Sequence, residues 1–589
     1  MKLWEPVRSF FSTAVRPPPP PPPPDDAEQP LLRSGLAPSE AGTSIDDRSV
    51  PEGCRDAAAL LLIKLGRSPN ERVHVSPKDD ARVLRRIDWA LLPLMLSVYF
   101  LQALDKATLS YASIFGLIED TNLVGNEFSW LGSIVFLAQL VMQLPIALAL
   151  VKLPIGKFTS AMVLGWGLTL TATTWASTFP QLMAARFFLG AFEASVGPSF
   201  VAITQMWWRR REQTMRIGSW YCMNGLTWVF GSLATYGLAS ITSSLRPYQI
   251  IFLTFGLVTV AVAIAMFVLM PDSPTEAKFL NDDDKLIAIE RLRGNQMGIM
   301  SREWRKAHFF EALQDVKTWL WVAMIFCISV PSNGISTFGP LIIHSFVSDP
   351  FDTMLFNVPV GISHVIAVSV SAYVSMKWKV KGLIIIMLCV PPIIGFGIML
   401  SFPHDDAHRA ILLAGYFCLS TFTGITPLIY SWSAQNTAGD TKRKSTSALV
   451  FIGSSAGNIV GPLLFTPEEA PSYSRGLTTN IALFSVVILL VFLTSAYLKM
   501  LNKRHAKRRV ALGKKAVVFD SSLETAGEVA RMSTIQENWE RDARLHNGEL
   551  GSSLDYPEGQ QSDYEEEAPN SNAFADLTDL ENEDFIFVF

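Results

Sequence analysis

The chain alternates between long apolar stretches and shorter polar connections over most of its length. Twelve stretches come close to the roughly 20 apolar residues that a helix needs to cross the hydrocarbon core of a bilayer. They cover about 89 to 110, 129 to 151, 158 to 178, 181 to 205, 216 to 240, 249 to 270, 319 to 343, 354 to 375, 382 to 401, 409 to 433, 445 to 465 and 477 to 499. The pattern predicts an all-α membrane protein with twelve transmembrane helices.

The basic residues of the connections indicate how these helices are oriented. Cytoplasmic connections of membrane proteins are enriched in Lys and Arg. One set of connections holds nearly all of them: Arg82, Arg85, Arg86, Lys152, Lys157, Arg209, Arg210, Arg211, Arg216, Lys377, Lys379, Lys381, Lys442, Arg443, Lys444 and the basic run after Lys499. The opposite set holds only Arg246, Arg409 and Arg475, beside acids such as Asp120 and Asp349. We therefore expect both termini to be cytoplasmic.

A polar stretch divides the twelve helices into two groups. Residues 271–318 are charged, and their spacing permits short amphipathic helices in a cytoplasmic central loop. We expect six-helix halves at residues 81–270 and 319–500, an arrangement typical of major facilitator transporters. Residues 1–80 carry eight consecutive prolines, 17 to 24, and residues 501–589 become acidic. Both are expected to be disordered cytoplasmic tails.

Composition supports a membrane protein and argues against an enzyme. The 589 residues are 49 % hydrophobic and 17 % charged, with a mean hydropathy of +0.28. The five cysteines are widely spaced without a CxxC pair, and the sequence has no HExxH motif and no phosphate-binding P-loop. No metal, cofactor or nucleic-acid partner is indicated.

Several motifs resemble those of one transporter family. The fourth apolar stretch contains "RFFLG" (186–190), which matches the R-x-x-x-G pattern of major facilitator helices. The run "NTAGDTKRKSTSALVFIGSSAGNIVGP" (436–462), with "APSYSRGL" (470–477), "LDKATLSYA" (104–112), "RREQTMRIGSWYCMNGL" (210–226) and "PDSPTEAKFL" (271–280), resembles fungal anion:cation symporters similar to allantoate permease. The second connection reads "VKLPIGK" and lacks the acid that many major facilitators carry there. Asp440 stands where family members commonly have histidine.

The resemblance, which covers about residues 85 to 500, implies a function. It implies proton-coupled import of a small organic anion, such as a ureide, a vitamin or another carboxylate, across a fungal membrane. We expect a monomer in the plasma membrane. The vacuolar membrane is the alternative location. Two other functions remain open: export of a secondary-metabolite acid, and nutrient sensing by a receptor that uses the same fold.

Four charged residues fall inside predicted membrane helices and form the candidate site. Arg186 lies in the outer part of the fourth helix, and Glu193 lies about 18 Å from its start, near the bilayer midplane. Asp105 and Lys106 lie in the outer third of the first helix. Charges at such depth are expensive in lipid, so we expect them to face the bundle interior and to pair, Arg186 with Asp105 first. Arg186 or Lys106 would attract a substrate carboxylate and Asp105 or Glu193 would carry the proton; the alternative is a permanent structural ion pair.

Further polar and small residues are weaker candidates. Gln139 and Gln143 share one helix face and either line the cavity or join helices. Asn333 lies between Pro331 and Gly334, where a broken seventh helix would expose it to a cavity. Asn224, Asn436 and His364 complete the polar candidates. Gly190 belongs to the R-x-x-x-G pattern, and Gly453, Gly457 and Gly461 repeat every four residues, which predicts close helix packing.

Overall fold

The described part of the chain is helical throughout and contains no strand. In the computed structural model the described residues are 56–65, 75–114, 116–124, 127–239, 241, 243–298, 301–344, 350–403, 408–464, 474–514, 520–524, 528, 531, 574 and 576–589. The proline run 17 to 24 and the rest of residues 1–55 lie outside this part, as do residues 532–573.

The described residues before the central connection form eleven helices. They are α1 (Ala57–Lys64), α2 (Pro77–Ile114), α3 (Leu117–Asp120), α4 (Glu127–Lys152), α5 (Ile155–Thr173), α6 (Phe179–Glu193), α7 (Val196–Trp207), α8 (Arg210–Tyr221), α9 (Met223–Leu226), α10 (Ser232–Ala239) and α11 (Pro247–Leu269). A π-helical turn, Thr227–Gly231, joins α9 to α10.

The central connection contains two helices, and the helices of the second half come after them. These two are α12 (Asp282–Arg293) and α13 (Lys306–Gln314). The remaining helices are α14 (Val316–His344), α15 (Pro350–Trp378), α16 (Gly382–Ser401), α17 (Arg409–Leu419), α18 (Ile425–Gln435), α19 (Asp440–Leu463) and α20 (Ser474–Ala511). A 3₁₀ turn, Ser420–Gly424, joins α17 to α18.

Ten helical stretches among the described residues are long and apolar enough to cross a membrane. The predicted third and fifth spans, 158–178 and 216–240, are not among them. The third corresponds to α5, which has 19 residues rich in Thr and Gly. The fifth is divided between α8, α9, the π turn and α10, so no single long helix covers it.

Helix α14 differs from the prediction of a broken seventh helix. It continues without interruption from Val316 to His344 and includes Pro331. Proline cannot donate to the carbonyl four residues earlier, but a helix buried among neighbours tolerates the loss of one such bond. The predicted break at Asn333 is therefore wrong.

Glycine faces allow α19 to approach α14 closely. A Cβ at Gly453 would lie 2.9 Å from the Val322 carbonyl oxygen, and one at Gly457 would lie 2.7 Å from that of Phe326. Gly461 lies in the same way against the carbonyl of Val330, which is four residues after Phe326 on α14. The four-residue glycine repeat thus follows a row of α14 carbonyls at the same spacing. Gly190 of α6 packs in the same way against Val135 of α4. A Cβ at Gly190 would lie 2.5 Å from the Val135 carbonyl oxygen.

The central connection is attached to the first half through buried ion pairs. Arg291 of α12, whose side chain is fully buried, donates to Asp80 of α2 at 2.6 Å and to Glu212 of α8 at 2.7 Å. Arg209 also contacts Asp80, at 3.0 Å. Because a charge stripped of its partner in such a place is strongly destabilising, these pairs fix α12 in position.

The two tails differ from the expectation of disorder in their described parts. Residues 57–64 form α1, whose first turn is capped by Asp56. Helix α20 continues to Ala511, and residues 576–589, here called the terminal segment, lie against the helix ends of both halves. Its acidic composition suggested disorder, but these residues bury aromatic side chains and pair their acids with buried lysines.

Candidate functional site

The four charged candidates come together inside the first half. Asp105 and Lys106 belong to α2, and Arg186 and Glu193 belong to α6. Asp105, Arg186 and Glu193 are each no more than 3 % exposed, whereas the Lys106 side chain is 42 % exposed. The structure therefore places one exposed and three buried charges at the contact between these helices.

The direct ion pair joins Lys106 to Glu193. Lys106 Nζ lies 3.0 Å from Glu193 Oε1. The expected pair of Arg186 with Asp105 is not found within 4.0 Å, although both Arg186 and Glu193 are close enough to act electrostatically on Asp105. Arg186 thus acts on Asp105 without a direct ion pair, whereas Lys106 and Glu193 are in direct contact. Depth along a helix does not determine its rotation, so the sequence could not distinguish these two arrangements.

Asp105 is held by hydrogen bonds that the sequence did not indicate. Trp166 Nε1 donates to Asp105 Oδ2 at 2.8 Å, and Thr108 Oγ1 donates to Asp105 Oδ1 at 3.2 Å. Trp166 stands between two glycines in the third predicted span, and its indole is fully buried. A buried indole N–H normally finds an acceptor. This tryptophan is the feature of the sequence from which a hydrogen bond to a buried acceptor could have been inferred.

Two members of the group keep hydrogen-bonding capacity free. Among the described residues, Arg186 Nη2 has no hydrogen-bond partner, and neither carboxylate oxygen of Glu193 has a hydrogen bond beyond its contact with Lys106. Buried polar groups are almost always satisfied in proteins. The guanidinium of Arg186 is therefore suited to binding an anion, and the neighbouring carboxylate of Glu193 is suited to accepting a proton.

The charges of the group balance. Arg186 and Lys106 contribute two positive charges, and Asp105 and Glu193 contribute two negative charges. Taking a further charge into a buried place is costly unless a charge of opposite sign accompanies it. The group can therefore accept an anion together with a proton more easily than either alone.

Gln143 bonds to a backbone carbonyl next to Glu193. Its Nε2 donates to the Ala194 oxygen at 3.2 Å, and its Oε1 has no partner. Ala194 lacks its usual helical donor because Pro198, four residues later, has no N–H. Gln143 thus joins α4 to the interrupted α6–α7 stretch, which matches the helix-joining interpretation. Gln139, one turn earlier on the same face, is also buried.

Asn333 has an equivalent role in the second half. Its Nδ2 donates to the Asn458 oxygen of α19 at 2.7 Å. Pro462 lies four residues after Asn458 and cannot donate to that carbonyl. Asn333 therefore donates to a carbonyl that lacks its helical donor, and it joins α14 to α19. It lies in the second half, far along the chain from the charged group.

Asn224 lies beside a group of aromatic side chains at the contact between the halves. Its Nδ2 donates to the Tyr221 oxygen at 3.1 Å. The Tyr99 ring lies 4.8 Å from the ring of Trp220 and 5.9 Å from that of Tyr221. His364 of α15 packs on the neighbouring Gly225, where α9 and α15 are in close contact.

Asn436 lies away from the four charges, where the helices of both halves meet. Gln205 of α7 donates to the Ala434 oxygen at 2.7 Å, and Gln435 Nε2 donates to Thr214 Oγ1 of α8 at 3.1 Å. Asn436, next to Gln435, is fully buried and bonds to Val588 of the terminal segment. It does not contact the charged group.

Nothing in the described residues forms a metal site, since no group of three His, Cys, Asp or Glu side chains is suitably placed. The arrangement is a helical membrane bundle with a buried, balanced group of charges, as in transporters that bind their substrate between helices.

Comparison with known proteins establishes the family. The model of the Major Facilitator Superfamily matches residues 95–462, which is more than half of the chain. An uncharacterized transporter of Schizosaccharomyces pombe is 31% identical over 77% of this chain and 85% of its own. A thiamine pathway transporter of Saccharomyces cerevisiae is 32% identical, covering 68% and 75%. The allantoate permease of the same yeast is 28% identical, covering 82% and 88%.

Solved structures show the same fold. The proton:xylose symporter XylE aligns with a TM-score of 0.55 at 11% identity, covering 70% of this chain and 95% of that one. The Escherichia coli fucose:proton symporter aligns with a TM-score of 0.50 at 13% identity, covering 69% and 98%. The chain belongs to the major facilitator superfamily. It is a multi-pass membrane transporter related to fungal permeases, and not an enzyme.

Proposed function

We propose that this transporter imports a small organic anion by proton-coupled symport. The observation that carries the proposal is the balanced group of three buried charges, Asp105, Arg186 and Glu193, and the exposed Lys106, with free hydrogen-bonding capacity on Arg186 and Glu193. An anion and a proton enter such a group together without leaving a net charge in the bundle.

The pairing of Lys106 suggests how the two events are linked. A substrate carboxylate that binds Arg186 and Lys106 competes with Glu193 for Lys106, its direct ion-pair partner. A buried carboxylate that loses its cation is favoured in the neutral form, so Glu193 takes up a proton when the anion binds. Asp105 keeps two hydrogen-bond donors throughout and is the alternative proton carrier.

Proton coupling also removes an electrical obstacle to import. Moving one net negative charge into a cell against an inside-negative potential is opposed by about 2.3 kcal/mol per 100 mV. A carboxylate that enters with one proton moves no net charge. The name of the related allantoate permease favours a ureide or other carboxylate substrate, and that of the thiamine pathway transporter favours a vitamin-related one.

The proposal includes a topology and a location. Twelve spans in two six-helix halves, 81–270 and 319–500, with a cytoplasmic loop between them, place both termini in the cytoplasm. The excess of Lys and Arg in one set of connections supports this orientation. We place the protein, as a monomer, in the plasma membrane, with the vacuolar membrane as the alternative.

Accumulation of labelled acids by cells that express the chain tests the proposal. The panel should include a ureide acid, an acidic vitamin and simple carboxylates, each measured with and without a protonophore. We expect uptake that exceeds equilibrium, rises as external pH falls and collapses with protonophore. Uptake indifferent to pH and protonophore would exclude symport. Net efflux from preloaded cells would indicate an exporter, and a correctly inserted chain that moves none of the acids would favour a receptor.

A further inference from the structure

The terminal segment ends in an apolar run that is buried against the helix ends. Phe585, Phe587, Val588 and Phe589 are each no more than 6 % exposed, in the sequence "FIFVF". The Phe587 ring packs 5.3 Å from the His505 ring of α20 and 5.1 Å from the Phe585 ring. Burial of this many aromatic side chains makes a large favourable contribution to holding the segment in place.

Two asparagines each bind both the backbone N–H and the backbone carbonyl of one residue in this run. Asn436 Oδ1 accepts from the Val588 N–H at 2.7 Å, and its Nδ2 donates to the Val588 oxygen at 3.0 Å. Asn502 does the same for Phe587, with both distances 2.9 Å. Trp432 Nε1 donates to the Val588 oxygen at 2.8 Å. Hydrogen bonds to the main chain, beside buried side chains, are characteristic of peptide recognition.

The acidic part of the segment is bound by buried lysines. Asp579 is fully buried, and its carboxylate contacts Lys317 of α14 and Lys442 of α19 and accepts from the Ala438 N–H at 3.1 Å. Burial alone would raise the pKa of Asp579, but Lys317 and Lys442 outweigh it and hold that pKa to about 2. The carboxylate is therefore ionised at every physiological pH, and the contact persists.

The segment contacts both halves of the transporter. Arg210 of α8, in the first half, donates to the Ile586 oxygen at 2.9 Å and lies over the Phe585 ring at 4.3 Å. Asn582 donates to Gln296 of the central connection at 3.1 Å. The lysines and asparagines described above belong to the second half. One stretch of 14 residues thus joins α8, the central connection, α14, α19 and α20.

We propose that this surface is a peptide-binding site whose occupant is the chain's own terminal segment, and that its occupancy holds the cytoplasmic ends of the two halves together. Major facilitator transporters alternate their access by rocking one half against the other. Opening toward the cytoplasm separates α8 from α14, α18 and α19, and a segment bound to all of them must leave first. The bound segment is an autoinhibitory contact, and this inference does not depend on the substrate.

Spin-label distances test the conformational part. Lys152 and Lys507 are exposed at the ends of α4 and α20, in different halves. With the native cysteines replaced, labels there in the full chain at pH 9 should give a single distance, that of the closed state. Deleting residues 574–589 should add a second, longer population, and adding the synthetic peptide 574–589 should remove it. A distance distribution unchanged by deletion would overturn the proposal.

Two matched substitutions keep the test independent of the deletion's effect on folding. Asp579→Asn removes the buried charge between the lysines, whereas Glu581→Gln changes an acid of the same turn whose side chain is 47 % exposed. Gln at 581 can still accept from the Thr578 N–H, as Glu581 does at 3.0 Å. Asp579→Asn should produce the longer distance, and Glu581→Gln should leave it absent. Equal behaviour of the two variants would contradict the assigned role of Asp579.

Peptide binding in trans tests the site itself. A fluorescent peptide 574–589 should bind the deletion variant in nanodiscs, with saturable anisotropy, and should bind the full chain poorly because its site is occupied. The Asp579→Asn peptide should bind at least about tenfold more weakly, since one partner of a buried charge pair is lost. The Glu581→Gln peptide should remain within about twofold, because Gln keeps an acceptor for the Thr578 N–H and for the buried His308, and the side chain that it replaces is 47 % exposed. Equal binding to the full chain and the deletion variant would refute an occupied site.

Discussion

At the scale of single residues, the transport site is defined by which charges find partners. Lys106 and Glu193 pair directly, Asp105 is held by Trp166 and Thr108, and Arg186 keeps an unsatisfied Nη2. An uncompensated charge in the bundle is unfavourable by several kcal/mol, so each substitution in this group also changes the state of its neighbours.

Arg186→Ala should abolish uptake while leaving membrane insertion intact. The substitution removes the free guanidinium and leaves the group with one cation for two acids. We expect initial uptake of about 1 % of normal or less, because losing one partner of a buried charge is worth about 3 to 5 kcal/mol. Arg186→Lys should restore little, since an ammonium lacks the planar bidentate fork.

The matched control for Arg186 is Arg246, whose side chain is 53 % exposed and pairs with Asp120. Arg246→Ala should keep uptake within about twofold, as exposed ion pairs contribute little. Initial rates should be normalised to the surface amount of each variant. Normal uptake by well-folded Arg186→Ala would exclude a role for Arg186 in binding or coupling.

Glu193→Gln should separate exchange from accumulation. Gln imitates the protonated acid, so the variant can bind substrate but cannot release the coupled proton. Labelled substrate should exchange for unlabelled substrate at near-normal rates, and concentration above equilibrium should be lost. Glu127→Gln, which keeps the acceptor for the Val124 N–H at the start of α4, is the control. Should Glu193→Gln concentrate substrate normally, the proton carrier is Asp105.

At the scale of helices, carbonyls freed by prolines explain two residues that a cavity was expected to contain. Pro198 frees the Ala194 carbonyl for Gln143, and Pro462 frees the Asn458 carbonyl for Asn333. In both cases the proline lies on one helix, and the side chain that donates to the freed carbonyl lies on another. The polar residue and the proline can each be seen in the sequence, but their encounter depends on helix rotation and neighbours.

The glycine row of α19 provides a prediction at this scale. A Cβ at Gly457 would lie 2.7 Å from the Phe326 oxygen and 2.8 Å from Ser329 Cβ, whereas one at Gly397 of α16 would meet nothing within 4 Å. Gly457→Ala should lower stability by about 1 to 3 kcal/mol through overpacking. Gly397→Ala should be neutral or stabilise by up to about 1 kcal/mol, from helix propensity.

Thermal unfolding of the two purified variants in one detergent checks this comparison. Gly457→Ala should unfold several degrees below Gly397→Ala and should also transport more slowly, because α14 and α19 are forced apart. Equal unfolding temperatures would mean that α14 can move away from α19 without loss.

The sequence predicted the positions of helices better than their contacts. Apolar length depends on local composition, so α4, α11 and α16 follow from the sequence alone. The division of the fifth span by a π turn at Thr227–Gly231 has no comparable local signal. The pairing of Lys106 with Glu193 could not be predicted, since it depends on how α2 and α6 are rotated against each other.

At the scale of the whole molecule, the terminal segment is the largest departure from what the sequence indicated. "FIFVF" is too short to span a membrane and follows an acidic run, so composition favours a solvated tail. Its order comes from tertiary contacts, with Asn436, Asn502 and Lys442 more than 80 residues away along the chain. Asn436, a candidate for substrate contact, instead belongs to this surface.

The same surface makes the conformational equilibrium sensitive to pH through Lys381. Its backbone N–H donates to the Phe589 oxygen at 3.0 Å, and its Nζ donates to Gln435 Oε1. Burial first, and then the nearby Arg210, lower the pKa of Lys381 to about 7, against the opposing effect of Asp520. When the segment leaves and the halves separate, hydration returns this pKa toward its ordinary value of about 10.4.

The sign of the pH effect follows from these two values. Between pH of about 7 and 10.4 the open state holds a proton on Lys381 that the closed state lacks, so rising pH favours the closed state. The limiting slope is about tenfold in the closed-to-open ratio per pH unit. Below about pH 7 both states are protonated, and Lys381 contributes no further change.

Spin-label distances between Lys152 and Lys507 at pH 6, 7.5 and 9 measure this equilibrium. The long-distance fraction should grow as pH falls from 9 toward 7 and should then level off. Lys381→Met keeps the backbone N–H and a side chain of similar length but cannot titrate, so its long-distance fraction should be flat across the range. A wild-type distribution that does not vary between pH 9 and pH 7, or an equal slope in Lys381→Met, would exclude Lys381 as the group through which pH acts on the closed state.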